Sequence, residues 1–166
     1  MTLAEAAAEA EALAESGSER ELAALRSTWE DELESAARSG DYRERAIAYR
    51  AVGQFRFRQK TELLRRGLED ESPACRGAAL ISVELLSRDH PAVVNSERPL
   101  LHRMVASDGE NPAVRRLVVV CLKNGSPQRE TIVLLNGLAE NDEQDGELRT
   151  AARRVAELLR KRAAAR

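Results

Sequence analysis

Aromatic residues, cysteine and long hydrophobic runs are all scarce in this sequence. Aromatic side chains are 3% of the 166 residues, so a core must be built from leucine, valine, isoleucine and alanine. The longest strongly apolar run, Leu117 to Leu122, is far shorter than the ~20 residues that span a membrane. The first residues lack the basic start of a secretory signal. We therefore expect a soluble, cytoplasmic protein with no membrane partner.

Residues that carry chemistry are equally sparse. Cys75 and Cys121 lie 46 residues apart, each inside an apolar helical run, which is typical of small buried side chains in a reducing compartment. His90 and His102 have no second ligand at metal spacing, and there is no HExxH and no glycine-rich phosphate loop. We expect no metal, no cofactor and no catalytic residue, and therefore not an enzyme.

Charged residues, in contrast, are abundant and unevenly distributed. The net charge of −2 excludes a globally basic nucleic-acid protein. Residues 1–40 carry ten acidic and three basic side chains, whereas residues 41–66 carry three acidic and eight basic ones. Either these neighbours pair across adjacent helices, or the basic segment faces an anionic partner. Arginine outnumbers lysine 23 to 3, which favours a GC-rich bacterial genome over a functional reason.

A unit of two apolar helical segments with a turn between them recurs along the chain. One copy runs from Leu63 to Leu86, and further copies begin at Leu100 and Leu134, with a weaker half-copy from Asp41. When the copies are aligned, arginines fall at matching points with intervals of 33, 39 and 34 residues: Arg43, Arg76, Arg115 and Arg149. Periods in this range with two helices per unit predict an α-solenoid.

The repeated pattern resembles that of HEAT repeats, an armadillo-like family. Asp70, Pro73 and Arg76 match the family's turn and the start of its second helix, as do Asp108, Pro112, Val114 and Arg115, and Asp142, Leu148 and Arg149. The resemblance covers roughly residues 41–162. It implies an all-α fold, a right-handed α-solenoid of about four antiparallel helix pairs over residues 18–162, whose second helices line a concave face.

An acidic Ala/Glu helix over residues 1–17 precedes the repeats. Thr2 and Glu5 predict a capping box at its start, and Ser18 and Glu21 predict another at the next helix. The first helix could cap the solenoid end, pair with a second chain or stay half-frayed. A monomer or a weak homodimer through this helix is expected. Residues 163–166 are predicted to be a frayed tail.

The function that this pattern favours is a protein-binding scaffold or adaptor. The alternative is a nucleic-acid-binding module that uses the basic segment 43–66, where Phe57 would be spare for base stacking. A HEAT-like DNA glycosylase would need aromatic residues and a carboxylate around its site, but Trp29 is the only tryptophan and is better explained as a core anchor. The candidate partner-binding residues are Arg43, Arg50, Arg58, Arg76, Arg115 and Arg154. The aligned arginines are alternatively explained as structural, each pairing with an aspartate of a turn.

Overall fold

The computed structural model describes residues 1–165 and is all-helical over them, which confirms the all-α prediction. No helix in this range is both long and apolar enough to cross a membrane. The elements in chain order are α1 (Leu3–Glu15), α2 (Glu19–Ala37), α3 (Tyr42–Gln54), α4 (Thr61–Leu68), α5 (Pro73–Ser87), α6 (Ala92–Asn95), α7 (Arg98–Ala106), α8 (Pro112–Leu122), α9 (Arg129–Glu140) and α10 (Gly146–Ala164).

Local capping explains where several helices begin. Thr2 and Glu5 form the predicted capping box, with both reciprocal hydrogen bonds present. Asp41, Asn111 and Asp145 each accept a hydrogen bond from a backbone N–H of the first turn of α3, α8 and α10. Proline stands at the first position of α5 and α8, where no backbone donor is needed.

The chain divides into two compact units, and the first is Met1–Leu86. In this unit α1 packs against α2 and α3, burying Leu3 and three alanines. Helices α3 and α5 meet at Gly53, where an added Cβ would lie 2.8 Å from the Cα of Ser82. The Ser82 hydroxyl accepts from the Gly53 N–H at 2.9 Å and donates to the carbonyl of Tyr49. Only glycine permits this approach, so it fixes how the two helices cross.

The second unit begins at Ser87. Helix α7 packs against α8, and α9 packs against α10. Between the two pairs, the second helices α8 and α10 contact each other, and so do the first helices α7 and α9. The core is mainly aliphatic, and its largest fully buried side chains are Leu101, Leu122, Leu135, Leu148 and Leu159.

Two cap predictions differ from the structure. Ser18 makes no side-chain cap; its hydroxyl bonds instead to that of Ser16 at 2.9 Å, so the second capping box is wrong. Helix α10 continues through Ala164, which places Ala163 and Ala164 within the helix, while the prediction for Arg166 lies outside the described residues. Trp29 is partly buried.

The prediction that Phe57 is spare is wrong. Arg56 adopts a left-handed conformation (φ 59°) just after α3, and the Phe57 N–H bonds back to the carbonyl of Val52 at 3.0 Å. This helix C-cap normally places glycine where Arg56 stands, and it brings the next residue onto the apolar face. Phe57 is accordingly 5% exposed and lies 5.6 Å from the Phe55 ring, measured between centroids.

Candidate functional site

One arginine recurs at the fourth position of four helices and donates to backbone carbonyls of the segment just before its helix. Arg45 in α3 donates to the carbonyls of Ser39 and Gly40, and Arg76 in α5 donates to those of Asp70 and Glu71. These residues lie in the turns that follow α2 and α4, so each guanidinium holds the turn that leads into its own helix.

The same arrangement appears twice in the second unit. Arg115 in α8 donates twice to the carbonyl of Val105, at 3.0 and 2.8 Å, and Arg149 in α10 donates to that of Ala139 at 3.3 Å. Each guanidinium also lies near an aspartate of its own turn. The Arg115–Asp108 distance is 3.6 Å and the Arg149–Asp142 distance is 3.0 Å.

The alignment at Arg43 is therefore two residues out of register. Arg45, not Arg43, is the structural equivalent, and it makes two hydrogen bonds to the carboxylate of Asp70, at 2.9 and 3.1 Å. The hydrogen bond with Asp70 raises the pKa of Arg45. Burial alone would raise the pKa of Asp70, but hydrogen bonds from Arg45 and from the Ser72 N–H lower it. Both groups are thus held in their charged forms.

The six arginines predicted to bind a partner fall into three groups. Arg76 binds carbonyls of the turn before its helix, and Arg115 caps the end of α7 and is only 6% exposed. We therefore leave these two out of the proposed contact surface. Arg50 is partly buried and lies 3.5 Å from Glu11 of α1. The exposed members are Arg43, Arg58 and Arg154.

Acidic and basic segments of the first unit pair across neighbouring helices. Lys60, just before α4, donates to Glu34 at 2.6 Å and to Glu30 at 2.9 Å, both on α2. Its ammonium lies 5.1 Å from the centre of the Phe57 ring. Burial alone would lower the pKa of Lys60, but the hydrogen bonds to Glu34 and Glu30 raise it. Together with the Arg50–Glu11 contact, these ion pairs neutralise part of the charge of the basic segment within the chain itself.

A groove of about 780 Å³ opens between three helix ends of the first unit. The first residues of α1, the last turns of α2 and the first turns of α3 form its walls. Its apolar surface includes Leu3, Ala36 and Ile47, and Ile47 is 40% exposed. Ligand-binding clefts commonly have a volume of 300–1,000 Å³, so this groove is large enough to receive a side-chain cluster of a partner.

The polar groups of the groove lie mainly at its rim. Glu32 of α2 and Glu44 of α3 are exposed and form no ion pair with another described residue. Arg38, at the end of α2, is the one basic side chain in the lining. A second, smaller pocket of about 360 Å³ lies on the other side of Arg38, where Lys60 and Arg66 face Glu34 and Glu62.

The second unit brings a hydroxyl, an imidazole and a carboxylate close together. The Nε2 of His102 lies 2.9 Å from the Thr131 hydroxyl, and its Nδ1 lies 3.8 Å from Glu130. Thr131 is fully buried and also accepts a hydrogen bond from Arg98 at 2.7 Å. Burial lowers the pKa of His102, outweighing the opposing effect of Glu130. The Thr131 hydroxyl and the His102 imidazole therefore form a largely buried polar contact that joins α7 to α9, and Glu130 lies at its exposed edge.

Sequence reasoning missed this network because the contacts of Thr131 with His102 and Arg98 span 29 and 33 residues and no local motif links them. Within residues 1–165, no cluster of three His, Cys, Asp or Glu side chains could hold a metal ion. Cys75 and Cys121 are both free and buried, as predicted. No family model, no curated protein and no solved structure matches the chain.

Proposed function

We propose that this protein is a non-enzymatic protein-binding scaffold and that the groove between α1, α2 and α3 receives a segment of its partner. The single observation that supports this is the exposed side chain of Ile47 within a groove of about 780 Å³. Exposed apolar groups that line a concave surface with a polar rim are typical of partner-binding sites.

We further propose that the helix pairs form a right-handed HEAT-like α-solenoid. The recurring arginines Arg45, Arg76, Arg115 and Arg149, which bind carbonyls of the turn or helix end before their own helix, support a repeated unit. The contact of α8 with α10 and of α7 with α9 supports the stacking of successive pairs. A crystal structure would test this: second helices that line a common concave face are expected, and a bundle without such a face would contradict it.

Affinity purification with quantitative mass spectrometry tests the binding function. We expect a discrete protein partner that survives nuclease treatment, is lost with Ile47→Asp, and is kept with Val133→Asp. Val133 is a matched control because it is an exposed apolar helical residue, 60% exposed, in the other unit. Loss of the partner with both variants, or with neither, would contradict binding at the groove.

The same experiment also tests the alternative function, which is nucleic-acid binding through the basic segment. Arg43 and Arg58 are its exposed members. If nuclease removes the bound material, and the double variant Arg43→Glu, Arg58→Glu no longer retains nucleic acid, the alternative replaces the scaffold. Such binding must also weaken steeply as salt rises, because neutralised phosphates release counterions.

A further inference from the structure

The charge of the groove walls indicates which kind of partner segment fits them. Residues 1–40, which include α1 and α2, carry ten acidic and three basic side chains. Several of these acids are used within the chain, since Glu11 pairs with Arg50, while Glu30 and Glu34 pair with Lys60. The acids at the groove are not among them.

The charges left over at the groove are mostly negative. Glu32 and Glu44 lie in its lining. Neither forms an ion pair with another described residue. Arg38 offsets one of these charges. A basic partner segment would be attracted to these two carboxylates, and an acidic segment would be repelled by them.

The same charges disfavour a second copy of the N-terminal helix as the occupant. Residues 3–15, which form α1, contain four glutamates and no basic side chain. Placing the α1 of one chain beside the acidic groove of another would bring like charges together. The exposed residues of α1 are three alanines and three glutamates, so this side of the helix offers little apolar area to a second copy.

The walls also favour a helical segment over an extended one. Residues 1–165 contain no strand and so offer no sheet edge to which a peptide could add. Ile47 and Ala36 provide apolar contacts on two different helices, α3 and α2. An amphipathic helix can meet such contacts with one apolar face while its polar face stays in solvent.

We infer that the groove takes a basic amphipathic helix, whose apolar residues contact Ile47 and whose lysines or arginines face Glu32 and Glu44. This inference rests on the proposed function, because it assigns the partner's chemistry at the same site.

Two peptides and four proteins test the inference. The first peptide is an amphipathic helix of about 15 residues, made of leucine, alanine and lysine, with leucines at helical spacing. The second has every lysine replaced by glutamate. The proteins are the unmodified chain, Ile47→Ser, the double variant Glu32→Gln, Glu44→Gln, and the control Val133→Ser. Circular dichroism first confirms that each variant is folded, and fluorescence anisotropy of labelled peptide then measures binding.

We expect the lysine peptide to bind the unmodified chain at least about tenfold more tightly than the glutamate peptide. Ile47→Ser should weaken binding of the lysine peptide about tenfold, and the double variant should remove most of the difference between the peptides. Val133→Ser should bind like the unmodified chain.

Other outcomes separate the two proposals. If both peptides bind equally and Ile47→Ser weakens both, the groove is a binding site but the charge inference is overturned. If the glutamate peptide binds better, the inference is also overturned. If neither peptide binds, or if Val133→Ser weakens binding as much as Ile47→Ser, then both the inference and the proposed groove function fail.

Discussion

At the scale of single residues, burial determines which polar groups can act on a partner. Arg115 and Arg154 have the same guanidinium donors. The guanidinium of Arg115 is buried against a helix end, whereas Arg154 is exposed. Phe57 was expected to be spare, yet the left-handed turn at Arg56 brings it into the core. Arginine is uncommon in that conformation, so the local sequence carries no glycine signal for the turn.

His102 provides a prediction at this scale. Its pKa is lowered from the ordinary value of 6.5, mainly by burial, and Arg98 adds to the effect while Glu130 opposes it. Below about pH 6.5 the unfolded chain binds a proton that the folded chain resists. The contribution of neutral His102 to the free energy of unfolding is therefore complete above this pH, and it is lost as the pH falls towards the pKa of His102 in the folded chain.

The measurement is urea unfolding at about pH 7.5 and about pH 5.5, a window that brackets the ordinary histidine pKa. We expect the free energy of unfolding to be lower at the lower pH, and the difference to shrink in His102→Gln. His90 is present in both proteins and cancels in the comparison. An equal pH dependence in the two proteins would contradict the prediction.

At the scale of helices, the most regular feature is the arginine that binds carbonyls of the turn or helix end just before its own helix. It recurs in α3, α5, α8 and α10. The repeat spacing predicted three of these four arginines, and two of them, Arg76 and Arg115, lie three residues after a proline. It placed the fourth at Arg43 because Tyr42-Arg43 was aligned with Val114-Arg115, and the true member is Arg45.

Removing one of these arginines should destabilise the fold. Arg115→Met takes two donors from the carbonyl of Val105, and an unsatisfied buried carbonyl costs about 1–3 kcal/mol. We expect a loss of that size in the free energy of unfolding, measured by urea denaturation with circular dichroism. Arg154→Met is the matched control, because an exposed substitution should change stability by less than about 0.5 kcal/mol. Equal losses in the two variants would show that Arg115 is not a cap.

At the scale of the whole molecule, the charge reversal between residues 1–40 and 41–66 is partly neutralised inside the first unit. The contacts Lys60–Glu34, Lys60–Glu30 and Arg50–Glu11 join α2 or α1 to later elements. Of the two explanations that the sequence left open, cross-helix pairing accounts for these residues. It does not account for Arg43 and Arg58, which are exposed.

The salt dependence of the free energy of unfolding should reveal how much these ion pairs contribute to stability. Lys60→Gln is expected to lower the free energy of unfolding by about 1 kcal/mol at about 0.1 M salt, as partly exposed ion pairs do. The difference from the unmodified chain should shrink at about 1 M salt, where the Debye length falls to ~3 Å. Urea unfolding of both proteins at the two salt concentrations measures this. A difference that does not change with salt would mean that Lys60 acts through packing on Phe57 instead.

The sequence by itself determined the helical class, most helix boundaries and the burial of both cysteines. These properties are local: Thr2, Asp41 and Asn111 cap their own helices, and leucines at helical spacing mark each buried face. Only the tertiary structure decided which arginines bind helix ends, and that the ends of α1, α2 and α3 leave a groove around Ile47. These properties depend on distances between residues far apart in sequence, and no local pattern encodes such distances.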